Sequence, residues 1–140
     1  MNDGLAQLYQ SVILEHNRSP RNHGPLPGAS HEGTADNPLC GDRVTLRLVV
    51  GDGGIAAARF EARGCALSRA AGSLLTEAVA GLSPAEARAL GERFLAFLAG
   101  GGAAPTESLA VFGGVKAFPS RIACAALPWT ALATALRGGG

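Results

Sequence analysis

Leu5, Leu8, Tyr9, Val12 and Ile13, with His16 one turn further on, follow the i, i+3, i+4, i+7 spacing of one helix face. They predict an amphipathic helix capped by Asp3 and ending near Asn17, where HNRSPRNHG supplies a polar, Pro- and Gly-punctuated loop. A short extended piece fits between Ser30 and Asn37. From Arg43 the period changes to two: Val44, Leu46, Leu48 and Val50 share one face, and Arg43, Thr45 and Arg47 the other. GDGG, Gly51 to Gly54, offers a hairpin turn, and Ile55 to Arg63 alternates again. After Gly64 and Cys65 an apolar stripe of Ala70, Ala71, Leu74, Leu75, Ala78 and Val79 predicts a helix that stops at Gly81. Ser83-Pro84-Ala85-Glu86 is a capping box opening a helix through Leu90, Phe94, Leu95 and Leu98 to Gly100. Thr106 to Val115 fits a short helix, and prolines 119 and 128 divide the remainder into two helical pieces, Pro119 to about Leu127 and Pro128 to Arg137.

One helix, then strands, then helices implies an α+β fold: a small antiparallel sheet packed against helices that cover one side. A chain of 140 residues forms a single domain, 1–140, and a domain of that size buries roughly 70% of the surface of its unfolded chain, so no staple is needed merely to fold. Nearly all the positive charge is arginine, Lys116 is the only lysine and the net charge is +1. That balance gives no electrostatic footprint for nucleic acid or an anionic membrane. The first residues lack a basic, cleavable leader pattern and no run approaches the length of a membrane span, so a cytoplasmic protein is expected. In that compartment Cys40, Cys65 and Cys124 are to be understood as thiols.

Their placement is informative. Cys40 and Asp42 precede one strand of the predicted hairpin and Cys65 follows the other, and the start of one antiparallel strand lies beside the end of its neighbour. These three residues therefore fall at one edge of the sheet, while periodicity alone does not bring Cys124 there. Two interpretations stay open at this point. Cysteine is among the most often buried residue types, so Cys65 and Cys124 also fit core positions, and Asp42 fits a turn. If all four groups meet, three sulfurs and one carboxylate suit tetrahedral zinc or one half of a cluster, and suit Mg²⁺ or Ca²⁺ poorly. One oxygen among three sulfurs suggests a ligand able to leave.

At LYQSVILEHNRSPRNHG, NPLCGDRV, FEARGCALSRAAGSLL and FPSRIACAALPW the chain resembles the U-type iron–sulfur cluster assembly proteins, related to the amino-terminal domain of NifU. The resemblance implies an α+β fold with a three-stranded antiparallel sheet, the third strand lying near Ser30 to Asn37. It implies that Cys40, Asp42, Cys65 and Cys124 ligate zinc or a [2Fe-2S] cluster. Ala123 stands where IscU-type scaffolds carry histidine, and their Leu-Pro-Pro-Val-Lys segment is absent. Both features, with a longer stretch before Cys124, resemble the SufU branch and imply an insertion at about 100–116. That branch usually has lysine at position 123, and the family usually has asparagine at position 19, where this chain has Ser19.

The SufU resemblance implies a zinc-dependent sulfurtransferase that accepts persulfide sulfur from a SufS-type cysteine desulfurase on Cys40, rather than an independent multi-turnover enzyme. Downstream iron–sulfur assembly components would be further partners. Arg121, three residues before Cys124 on a predicted helix, is the first candidate cation to offset the negative charge of such a site, followed by Arg43. One alternative is a scaffold assembling [2Fe-2S] on the same ligands. Another is a zinc-stabilised adaptor without sulfur chemistry, which would unfold on metal removal. A thiol–histidine hydrolase is disfavoured because His16, His23 and His31 share no motif with a cysteine.

Overall fold

The computed structural model describes residues 3–38 and 41–138. Helix α1 (Asp3–Arg18) is followed by strands β1 (His31–Asn37), β2 (Asp42–Gly51) and β3 (Gly54–Arg63), then helices α2 (Ala66–Val79) and α3 (Pro84–Leu98), a 3-10 helix (Leu109–Ala117) and helix α4 (Pro119–Gly138). The strands form one antiparallel sheet in the order β1-β2-β3, the expected α+β arrangement.

Alternation in β2 and β3 sets the layers. Val44, Leu46, Leu48 and Phe60 are fully buried beneath the helices, while on the opposite face Arg47 donates to Glu32 at 2.9 Å and also to Glu61. The predicted hairpin closes between Gly51 and Gly54, and a register shift between Val49 and Val50 leaves Val50 only half-buried. β1 pairs with β2 from His31↔Leu48 to Asn37↔Asp42. Its Gly33 is a close-approach glycine: a Cβ there would lie 2.2 Å from the Ala131 carbonyl oxygen and 2.5 Å from the Ala135 nitrogen of α4. Glycine therefore lets the α4 backbone rest directly on β1.

The helices cover the same face. α3 begins with the expected capping box, the Ser83 hydroxyl accepting from the Glu86 N–H at 3.1 Å and Glu86 Oε1 accepting from the Ser83 N–H at 2.9 Å. Phe94 packs against Phe97, Phe112 and Trp129, joining α3, the 3-10 helix and α4 into one core. The segment expected as Thr106 to Val115 is the 3-10 helix, displaced toward Ala117 and burying Leu109, Val111, Phe112 and Val115. On α1, Val12 and Ile13 pack on the core and His16 is buried, whereas Leu5, Leu8, Tyr9 and the cap at Asp3 lie outside the residues whose side chains are described.

One expectation is corrected. The last segment is a single helix with Pro128 inside it, not two pieces. Proline removes the N–H that would bond the carbonyl four residues earlier, here Cys124. That carbonyl accepts from the Ser68 hydroxyl of α2 at 3.2 Å, a partner from elsewhere in the fold that helps the helix tolerate its proline.

Candidate metal centre

The alternation that fills the core also places a carboxylate at its rim. Asp42 shares the helix-facing side of β2 with Val44, Leu46 and Leu48, one step beyond the apolar stripe, and is buried. Across the hairpin, β3 ends at Arg63 and Cys65 is the N-cap of α2, with extended backbone geometry. Gly64 between them has φ +132°, and a Cβ there would fall 2.0 Å from Asp42 Oδ1. Only glycine combines that backbone conformation with that proximity. Cys124 comes from the second turn of α4, buried, its Sγ 3.8 Å from the Ser120 carbonyl oxygen.

A carboxylate oxygen of Asp42 and the sulfurs of Cys65 and Cys124 all lie within 4.8 Å of one another. Zinc–sulfur bonds of about 2.3 Å at a tetrahedral ion hold sulfurs ~3.8 Å apart, so small side-chain rotations would suffice to close this set on one ion. Two soft sulfurs with one oxygen suit zinc or iron–sulfur ligation far better than Mg²⁺ or Ca²⁺.

The carboxylate is held from two sides. Its Oδ1 accepts from the Cys65 backbone N–H at 3.2 Å, at the N-terminus of α2 where the helix dipole favours negative charge, and its Oδ2 accepts from the Ser68 hydroxyl at 2.9 Å. Burial pushes the Asp42 carboxyl up, but hydrogen bonds from the Cys65 thiol, Ser68, the Cys124 thiol and the Cys65 N–H together outweigh it and hold the group below the usual carboxylate range. The Cys124 thiol moves the other way. Burial raises it most, and its contacts with Cys65 and Asp42 raise it further. A cation at this point would reverse the preference of Cys124 by stabilising its thiolate.

Three of the four predicted ligands therefore converge, while Cys40 lies outside the described residues. The ends of its loop are described: Asn37 pairs with Asp42, and the Gly41 N–H donates to the Asn37 carbonyl at 2.8 Å. Arg43 is exposed and faces Asp36 across β1 and β2 at 3.7 Å. Arg121 and Ala123 are exposed on the first turns of α4. The histidines stand apart: His16 Nδ1 lies 2.7 Å from Ser73 Oγ, His23 packs edge-on against Phe60, and His31 lies beside Ser30. Two contributors went unpredicted. Ser68, three residues after Cys65 and thus on the same helix face, had a readable signal in that spacing, as did Gly64 in its place before the cysteine.

Residues 8–136 of the chain match the family described as the NifU-like N terminal domain. The chain is 35% identical to the iron–sulfur cluster assembly scaffold protein IscU of Streptococcus pyogenes serotype M1, over 95% of this chain and 85% of the relative. It is 34% identical to the zinc-dependent sulfurtransferase SufU of Bacillus subtilis strain 168, over 94% and 90%. Among solved structures, a protein assigned as an iron–sulfur cluster assembly scaffold of the SUF system, from Fervidobacterium islandicum AW-1, superposes with a TM-score of 0.82 at 28% identity, covering 93% of this chain and 97% of that one. No helix among the described residues is long and apolar enough to cross a membrane.

Proposed function

The chain belongs to the NifU-like N-terminal domain family, the U-type iron–sulfur cluster assembly proteins, and from that membership we propose that it is a zinc-dependent sulfurtransferase of the SufU branch, accepting persulfide sulfur from a SufS-type cysteine desulfurase. The observation that carries this is the convergence of Asp42, Cys65 and Cys124 donor atoms within 4.8 Å at the end of the hairpin that Cys40 precedes. Cys40, Asp42, Cys65 and Cys124 would hold the ion, and zinc would supply a charge that keeps the thiols deprotonated at neutral pH. Ala123, in place of the scaffold branch's histidine, favours this branch, and a relative at 34% identity is named for zinc-dependent sulfur transfer. The segment from about 100 to 116, which carries most of the 3-10 helix, is then the branch's insertion within a single domain.

Cys40 is the acceptor by the family resemblance, and its sequence neighbours Pro38 and Gly41 favour a loop, whereas Cys65 caps α2 and Cys124 lies within α4. The Cys40 thiolate would attack the outer sulfur of the desulfurase persulfide. The sulfur–sulfur bond of the donor breaks as a new one forms to Cys40. The outer sulfur leaves with its proton and the desulfurase cysteine departs as a thiolate, so electrons and protons balance without an added reductant. Asp42 stays ionised under its hydrogen bonds, and Arg121 and Arg43 are the candidate cations for offsetting the negative charge of the site. The pyridoxal phosphate chemistry belongs to the partner, and downstream iron–sulfur assembly components would receive the sulfur.

The test is alanine release from free cysteine by a SufS-type desulfurase, with wild type, Cys40→Ala and Asp42→Ala compared for stimulation and metal content. Stimulation that needs both Cys40 and zinc is expected. A stable coloured cluster without stimulation selects the [2Fe-2S] scaffold instead, and unfolding on chelation with neither effect selects the adaptor.

A further inference from the structure

Ser68 is fully buried on α2, yet its hydroxyl faces three groups of the site: Asp42 Oδ2 at 2.9 Å, the Cys124 carbonyl oxygen at 3.2 Å and the Cys65 sulfur at 3.8 Å. A serine hydroxyl has a single proton to give. Both oxygens are acceptors, so they compete for it. The Cys124 carbonyl is available because residue 128, its helical partner, is the proline inside α4. Pro128 and Ser68 thus form one unit with β2 and α4: the proline frees a carbonyl, and the hydroxyl ties that carbonyl and the Asp42 carboxylate to the same point on α2.

We propose that Ser68 is the positioning residue of the Asp42–Cys65–Cys124 centre, a hydroxyl that shares its proton between the Asp42 carboxylate and the carbonyl released by Pro128, and so fixes Asp42 and the Cys124 helix against each other. This rests on the metal-binding role given to the centre above and adds a regulator of it. Carboxylate and imidazole ligands are oriented by outer hydrogen-bond partners, whose loss typically weakens metal binding 10- to 100-fold. Ser68 is placed to do this for Asp42. With an ion held at Asp42 the carboxylate would be the poorer acceptor, and the Cys124 carbonyl would take a larger share of the proton. The buried hydroxyl would keep a partner in either case.

Two cycles of variants test this on the full chain. In the first, zinc affinity is measured by competition with a chromophoric chelator for wild type, Ser68→Ala, Asp42→Ala and the double variant. Ser68→Ala should weaken zinc binding by roughly 10-fold or more in wild type and by less than about 2-fold once Asp42 is gone, since residues acting through one another are not additive. An equal loss in both backgrounds, or none in either, overturns the positioning role. In the second, metal-free melting temperatures are compared for Ser68→Ala with and without Pro128→Ala. Ser68→Ala should lower Tm by roughly 3–6 °C when Pro128 is present, and by less than half of that in the Pro128→Ala background, where a backbone N–H at position 128 again partners the Cys124 carbonyl. Equal losses in the two backgrounds overturn the shared-proton bridge. If wild type takes up no zinc, the metal role fails and the positioning role with it, while the melting cycle still decides the bridge.

Discussion

Two buried serines on α2, Ser68 and Ser73, stand five residues apart with opposite surroundings. Ser73 accepts the Arg21 backbone N–H at 2.8 Å and lies 2.7 Å from His16 Nδ1, while its neighbour Thr76 bonds the Ser73 carbonyl at 2.8 Å and receives the Asn22 amide at 3.1 Å. The Thr76 hydroxyl also faces the Arg21 carbonyl at 3.4 Å, so the acceptors there are neutral hydroxyls and carbonyls, and the cluster ties α1 and the following loop to α2. Ser68 instead meets more acceptor capacity than it can satisfy, beside two thiols and a carboxylate. A cluster of neutral hydroxyls and carbonyls supplies stability. One with acceptors to spare, made of metal-ligating atoms, is a place for a cation.

The sharpest break of this contrast is Cys65→Ala. Removing a ligand should reduce zinc affinity by more than the ~100-fold that loss of an outer partner costs, while circular dichroism stays that of the wild type, because Cys65 is only partly buried at the margin of the core and its side chain makes no capping bond to α2. Metal analysis and a chelator competition check it. Unfolding on this substitution would favour the adaptor role instead.

Ser73→Ala should do the reverse. With the Arg21 N–H and His16 left without their shared partner, stability should fall by about 2 kcal/mol and zinc affinity should change less than about 2-fold, read from urea denaturation and the same competition. A larger change in affinity would mean that the two serines are not separable.

The smallest effect is on pH dependence. Burial, then the positive charge of Arg21, hold the His16 imidazole below its ordinary value of 6.5. As pH falls through that value the unfolded chain takes up a proton that the folded cluster refuses, so stability should decline as pH falls from about 7.5 towards about 5.5. His23, lowered mainly by burial and next by Arg69, acts in the same direction. His16→Gln should flatten part of that slope in metal-free protein, and an unchanged slope would remove His16 from the account.

The same contrast explains what the sequence could reveal. Period-two alternation made β2 and β3 legible, and with them the meeting of Asp42 and Cys65, because hairpin register follows from local pattern. Cys124 could not be placed that way. Its approach depends on α4 packing on β1 through Gly33, a contact between segments far apart along the chain. The division of α4 at Pro128 failed for a related reason: local rules count the lost N–H and cannot count the Ser68 hydroxyl that replaces it. Ser68 lay one turn beyond Cys65, so its spacing placed it on the cysteine's helix face, but the acceptors it bonds, Asp42 and the Cys124 carbonyl, come from other segments.

The most direct test of the centre is X-ray absorption at the zinc edge of the zinc-loaded full chain. Three sulfurs at about 2.3 Å and one oxygen at about 2.0 Å, becoming two sulfurs in Cys40→Ala, are the expected result. A zinc shell of nitrogen and oxygen alone, or one unchanged by Cys40→Ala, would contradict the proposed four-residue cage.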